Sequence, residues 1–307
     1  MRFDGLAMTV HTIDLHFQDV PQIIAAYLVE GPDGLVLIET GPGSTLERLL
    51  TGIAELGFSP SDVRDVFVTH IHLDHAGAAG WWAQENGSTV YVHPRGARHL
   101  IDPSRLMESA KMVYGDLMDS LWGDMIPAPA ENVRSLEDGE SVSVAGLEIT
   151  ALDTPGHARH HHAFAVGDAI FTGDVAGARL PGCDYLSVTS APPQFEPDPY
   201  FASLEKVRAA KPARLFLTHF GEITEVDAHL DDYRENVDLA STFVHDRLAE
   251  GMDGDALQVA YQAFQMEIAF RVGLPPEDWS RYQQANPTSM GADGIRLYWE
   301  KQSENPE

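Results

Sequence analysis

The chain has one cysteine, Cys183, in 307 residues. A disulfide framework within it is therefore excluded, and a lone thiol suits a reducing compartment. Lysine is scarce as well: four of the 20 basic residues are lysine, and they stand against 47 acidic ones for a net charge of −27. A surface this acidic repels nucleic-acid phosphates and anionic membranes, so neither is expected as a partner. No apolar run approaches the roughly 20 residues needed to span a bilayer. The first 17 residues lack the charged-then-apolar pattern of a secretory signal, and the expected location is cytoplasmic. There is no Gly-x-Ser-x-Gly elbow of a serine hydrolase and no Gly-rich nucleotide loop.

Histidine, by contrast, is concentrated. Thr69-His70-Ile71-His72-Leu73-Asp74-His75 follows an apolar run and places three imidazoles and one carboxylate in six consecutive positions, 70 to 75. Imidazole nitrogen and carboxylate oxygen are the usual ligands of zinc and other first-row divalent metals. In an extended segment, residues two apart point to one side, which would group His70, His72 and Asp74 and turn His75 toward a second ion.

Short runs rich in β-branched or aromatic residues read as strands at 23–30, 35–39, 65–69, 89–92, 141–144, 147–152, 169–172 and 214–218. Helical patterns lie at 44–56, 75–85 and 199–209, an order that indicates α/β layers. After residue 222 the apolar spacing is helical, over 225–251 and again over 254–272. The reading is thus a catalytic domain over 1–221, with a helical insertion at 103–126, and a helical C-terminal subdomain over 222–307 that ends in a frayed tail from Ser303. The insertion carries two apolar stripes. Leu106, Ala110, Val113, Leu117 and Leu121 form one, and Met107, Tyr114, Met118 and Trp122 form the other. The surplus apolar face would meet a ligand pocket, the C-terminal helices or a second copy in a homodimer.

Three further donors each follow an expected strand: His157 in Thr154-Pro155-Gly156-His157, Asp174 in Thr172-Gly173-Asp174, and His219 in Leu217-Thr218-His219. Loops at one end of a sheet gather in space, where α/β folds build their sites. This ordered set resembles that of the metallo-β-lactamase-fold hydrolases, in the glyoxalase II and lactonase-like branch, over roughly residues 10 to 221. The resemblance implies an αββα sandwich with two divalent metals at one edge of its sheets, to which the helical C-terminal subdomain is an extension; intrinsic affinity favours zinc over iron or manganese. The resemblance also implies that His70, His72 and His157 bind the first metal, that Asp74, His75 and His219 bind the second, and that Asp174 bridges them. Glu39 stands where the family usually has a structural aspartate. His160, His161 and His162 are expected to support the site or pack beside it.

Such a centre activates a hydroxide for attack on a carboxylic ester, thioester or lactone, with Asp74 orienting the nucleophile or relaying its proton. The substrate would be a small molecule. Tyr185 is a candidate hydrogen-bond donor to it, and Met107, Tyr114, Met118 and Trp122 are candidate apolar walls. A mononuclear iron dioxygenase of the persulfide dioxygenase type and a phosphodiesterase are the alternatives; the net charge opposes action on nucleic acid.

Overall fold

Two six-stranded sheets face one another in the computed structural model, which describes residues 8–304. The first runs in chain order through β1 (Thr9–Asp14), β2 (Ala25–Gly31), β3 (Gly34–Ile38), β4 (Val63–Phe67), β5 (Thr89–Val92) and β6 (Val133–Ser135). The second comprises β7 (Ser141–Val144), β8 (Leu147–Asp153), β9 (His162–Val166), β10 (Ala169–Gly173), β11 (Arg214–Leu217) and β12 (Gly221–Ile223), again with sequence neighbours adjacent.

Successive side chains of a strand point to opposite faces, and both faces of each sheet are covered, so each inner strand is apolar on both sides. On β2, Ala25, Tyr27 and Val29 enter the core between the sheets, while Ala26 and Leu28 turn outward to the helices. On β11, Phe216 faces inward and Leu215 and Leu217 face outward. Aromatic rings dominate the inner layer. Phe171 and Phe216 stack with centroids 4.9 Å apart, and Tyr27 meets both edge-on.

The first outer layer contains α1 (Leu46–Glu55), α2 (Leu73–Ala76), α3 (Ala79–Asn86), α4 (Pro94–Ile101), α5 (Ser104–Tyr114) and α6 (Met118–Leu121). The second contains α7 (Pro197–Ala209), α8 (Val226–Ala249), α9 (Gly254–Arg271) and α11 (Thr288–Glu304), while α10 (Trp279–Ala285) packs Trp279 and Tyr282 into the cluster on the first layer's side. The whole is an α/β metallo-β-lactamase-type sandwich with C-terminal helices. Among the described residues, no helix is long and apolar enough to cross a membrane.

Several elements differ from the sequence expectation. The insertion is two helices, because Gly115 takes a left-handed φ of 54° after α5. The helix expected at 75–85 divides into α2 and α3. Strands β1, β6, β9 and β12 and helices α10 and α11 were not anticipated. Ser303 and Glu304 continue α11, and residues 305–307 lie outside the described ones.

The two sheets are tied together at one edge. The Ala25 amide donates to Thr218 O (2.9 Å) and the His162 amide to Thr69 O (2.7 Å), each from one sheet to the loop that leaves the other. The loops that carry the histidine and aspartate donors leave the strands at that edge.

Candidate metal centre

The segment after β4 bends at Thr69, His70 and His72 and then turns into the short helix α2 at Leu73. That turn corrects the side-to-side grouping expected of an extended chain. Asp74 swings away from His70 and His72 and joins His75 and His219. The structure gathers His70, His72 and His157 as one donor group and Asp74, His75 and His219 as another. Asp174 lies between them. Its Oδ2 is 3.3 Å from His157 Nε2, and its Oδ1 is 3.2 Å from His75 Nε2 and 3.6 Å from His219 Nε2.

Two glycines allow the close approach. Gly156, with φ of 134°, precedes His157, and a Cβ there would sit 2.4 Å from Tyr200 Cα. Gly173, with φ of 51°, precedes Asp174, and a Cβ there would sit 2.5 Å from Thr69 Oγ1.

The outer hydrogen bonds set the ring tautomers. His157 Nδ1 donates to Thr189 O (3.0 Å) and His219 Nδ1 to Ile23 O (2.9 Å). His75 Nδ1 donates to Glu39 Oε1 (3.0 Å). Thr69 Oγ1 gives its proton to the same Glu39 oxygen (2.5 Å) and so accepts from His70 Nδ1 (3.0 Å). All four rings therefore present a bare Nε2 inward, the arrangement that metal-binding histidines adopt. Beside the ligand set, His161 Nε2 accepts the Asp174 amide and its Nδ1 reaches Thr154 Oγ1, so this ring fixes the Asp174 backbone.

These donors fit metal ions. His72 Nδ1 is 2.9 Å from both His70 Nε2 and His157 Nε2, a convergence of lone pairs that a single proton cannot satisfy. His75 Nε2 and Asp174 Oδ1 are buried without a hydrogen-bond partner, a costly state unless an ion accepts them. Burial and the neighbouring imidazoles hold His70 well below the ordinary histidine range and push His72 down to about 3, so both rings are neutral and free to ligate. Around His75, burial disfavours the charged ring, but Asp74, Asp174 and Glu39 outweigh it and raise the pKa. Three carboxylates thus make that point attractive to positive charge. A separate set, His93, Asp153 and His162, lies outside this centre; Lys206 Nζ donates to Asp153 O beside it (2.8 Å).

The metal centre forms the floor of a cleft of about 1040 Å³. Tyr114 and Trp122 line it as expected, but the other walls differ. Leu106, Ala110, Val113 and Leu121 of the first stripe face the cleft. Met107 and Met118 pack against the core behind them. His160 also lines the cleft, as do residues 283–287 and Met290 from the C-terminal helices. No sequence signal marked those helical residues, since their position depends on how α10 and α11 dock.

Tyr185 does not reach the cleft. It is buried, and its hydroxyl donates to Gln265 Oε1 on α9 (2.7 Å). Tyr185→Phe is therefore expected to cost about 1–3 kcal/mol of stability in a denaturant melt, by stranding that buried amide oxygen, with turnover unchanged. A loss of turnover without loss of stability would return Tyr185 to the site.

The model of the metallo-beta-lactamase superfamily matches residues 20–219, which include every donor described above. The chain belongs to the metallo-beta-lactamase superfamily. It is 28% identical over 242 residues to the metallo-beta-lactamase fold-containing protein ST1585 of Sulfurisphaera tokodaii, covering 75% of this chain and 88% of that one. It is 26% identical to the probable metallo-hydrolase YqjP of Bacillus subtilis, over 68% of this chain and 70% of that protein. The crystal structure of TTHA1429 from Thermus thermophilus superposes with a TM-score of 0.65 at 20% identity, over 96% of this chain and 94% of that one. Superfamily membership and relatives named as probable metallo-hydrolases support a hydrolase at the general level. The chain's His and Asp clusters could hold divalent metal.

Proposed function

We propose that this superfamily member is a dinuclear metal-dependent hydrolase acting on a carboxylic ester, thioester or lactone. The observation that carries the reading is the pair of donor groups joined through Asp174 at the floor of the cleft. His70, His72 and His157 would hold one divalent ion and Asp74, His75 and His219 the other, with Asp174 shared and zinc favoured by intrinsic affinity over iron and manganese. Bound there, such ions would supply a nucleophile at neutral pH, by lowering the pKa of bound water to about 7, and would polarise the acyl oxygen.

The chain's own residues supply the rest. Asp74 is the more open of the two carboxylates, with its side chain 20% exposed against 6% for Asp174. It faces the cleft 3.3 Å from His219 Nε2. A carboxylate so placed can take the nucleophile's proton and return it to the leaving group. Burial and the charge of Asp74 raise the Tyr114 pKa, so its phenol stays protonated and can donate to a substrate oxygen. Phe17, Leu106, Leu121 and Trp122 provide apolar surface for the acyl or leaving group.

Elemental analysis of the purified protein is expected to find two divalent metals per chain. A chelator should abolish turnover of a panel of esters, thioesters and lactones, and added zinc should restore it. One iron per chain with oxygen consumed during turnover would replace this reading with the dioxygenase.

A further inference from the structure

The cleft wall carries charge of one sign. Apart from Asp74 and Asp174 of the metal centre, no acidic side chain lines it, although the chain has 47 acids against 20 bases. Four arginines do: Arg95, Arg98, Arg105 and Arg159. Arg159 is paired with Glu196, but among the described residues Arg95, Arg98 and Arg105 make no ion pair, although the exposed Asp102 lies near enough to feel the Arg105 charge. Arg98 Nε donates only to His99 Nε2 (3.1 Å). Arg95 and Arg98 lie three residues apart on α4 and therefore share a helix face. Arg105 begins the next helix. All three are exposed, and burial together with the Arg98 and Arg105 cations lowers the pKa of His99 between them.

We infer that Arg95, Arg98 and Arg105 form a subsite for an anionic group, carboxylate or phosphate, at the end of the substrate remote from the scissile bond. Guanidinium groups recognise both oxyanions through paired N–H donors. In a chain of net charge −27, a cleft wall of positive charge also selects anions that the rest of the surface turns away.

The helix α5 sets the distance. Arg105 stands at its start and Tyr114 at its end, where Tyr114 feels the charge of Asp74. Nine residues at about 1.5 Å each separate the two by about 13 Å. Leu106 and Ala110 face the cleft between them. The substrate then has an oxyanion and a reactive acyl carbon separated by an apolar segment of roughly ten bonds, at about 1.2 Å per bond along an extended chain. The anion could belong to the acyl side, as in a half-ester of a long dicarboxylic acid, or to the leaving group, as in a phosphorylated thiol.

This inference rests on the hydrolase reading for its substrate but can be tested without turnover. Decanoate, decyl phosphate and decanol are titrated into the purified protein and into chelator-treated protein, so that anion held by metal is separated from anion held by arginine. Decanoate, decyl phosphate or both should bind at least tenfold more tightly than decanol in both preparations, and sodium chloride should weaken only the anions. The Arg98→Ala/Arg105→Ala double variant should lose that preference, and a matching circular dichroism spectrum would show that it folds. Equal affinities for anions and decanol, or an anion preference that survives the double variant, would overturn the subsite.

Turnover then locates the anion. The kcat/KM ratio of the p-nitrophenyl half-ester of decanedioic acid to p-nitrophenyl decanoate reports a carboxylate on the acyl side. The ratio of decanoyl-coenzyme A to a decanoyl thioester of a neutral thiol reports a phosphate on the leaving group. The ratio that exceeds ten in the wild type should fall at least tenfold in the double variant, through KM. If no ester or thioester is turned over, the hydrolase reading fails while the binding result still decides the subsite.

Discussion

Asp74→Ala is expected to lower kcat/KM on an ester or thioester substrate by about a thousandfold or more while the protein stays folded. Proton transfer by a positioned carboxylate contributes roughly 10²–10⁴ to rate, and the substitution also removes an oxygen donor from the second metal group. The fold should survive because the Asp74 side chain supports little else. It projects from the four-residue α2 and pairs with His75 Nε2 (3.5 Å) and His219 Nε2 (3.3 Å). Both rings keep their outer bonds to Glu39 and Ile23. The His70, His72 and His157 group is untouched, so elemental analysis should still find metal, at one to two per chain. Asp74→Asn separates the two roles. The amide keeps the shape and one oxygen but accepts no proton, so it should restore metal content more than rate. Turnover within tenfold of the wild type in Asp74→Ala, with metal retained, would remove Asp74 from the reaction.

The meeting of the seven donors at one sheet edge was legible from residue type and order. His70, His72, Asp74, His75, His157, Asp174 and His219 come from four strand ends, and the structure draws all seven together. How they divide was not legible from spacing, because α2 begins inside the motif and replaces a two-residue repeat with a helical one. The inner strands were readable where bulky β-branched and aromatic residues alternate, as on β2 and β11. Strand β9 was hidden because it opens with His162 at the end of a histidine run, and its partners β8 and β10 supply the pairing. The cleft walls were the least legible part. Tyr185 is a candidate donor only by likeness to lactonase relatives, and its direction is set by contact with α9, about 80 residues away in sequence. The arginines of α4 carry no signal in the sequence, because a cation one helical turn from another is usually only solvated surface; what distinguishes them is that no acid besides Asp74 and Asp174 lines the cleft, which is a property of the assembled fold.

Glu39→Ala is expected to have the largest effect on stability, about 3–5 kcal/mol, as when one partner of a buried ionic network is removed. Glu39 is 1% exposed and has a left-handed φ of 66° at the end of β3. Its carboxylate accepts from Thr69 Oγ1 and the Thr69 amide (3.3 Å), from His75 Nδ1, and from Thr218 Oγ1 (3.2 Å). One side chain therefore links the loop after β4 in the first sheet to the loop after β11 in the second. Alanine would leave four buried donors without this acceptor in a place water cannot easily fill. For a chain of this size the loss corresponds to a fall in Tm of roughly 10 °C. The effect should extend to the metals. Without Glu39, the His75 ring loses the acceptor that fixes its tautomer, and His70 loses its anchor through Thr69. Removal of such an outer partner weakens metal binding by about 10–100-fold. Glu39→Gln tests whether charge or shape matters, since the amide oxygen can replace one acceptor while its NH2 opposes the remaining donors. It should recover part of the stability and less of the metal affinity. A Glu39→Ala protein that melts with the wild type and holds its metals against the same chelator concentration would show that the two sheets do not depend on this carboxylate.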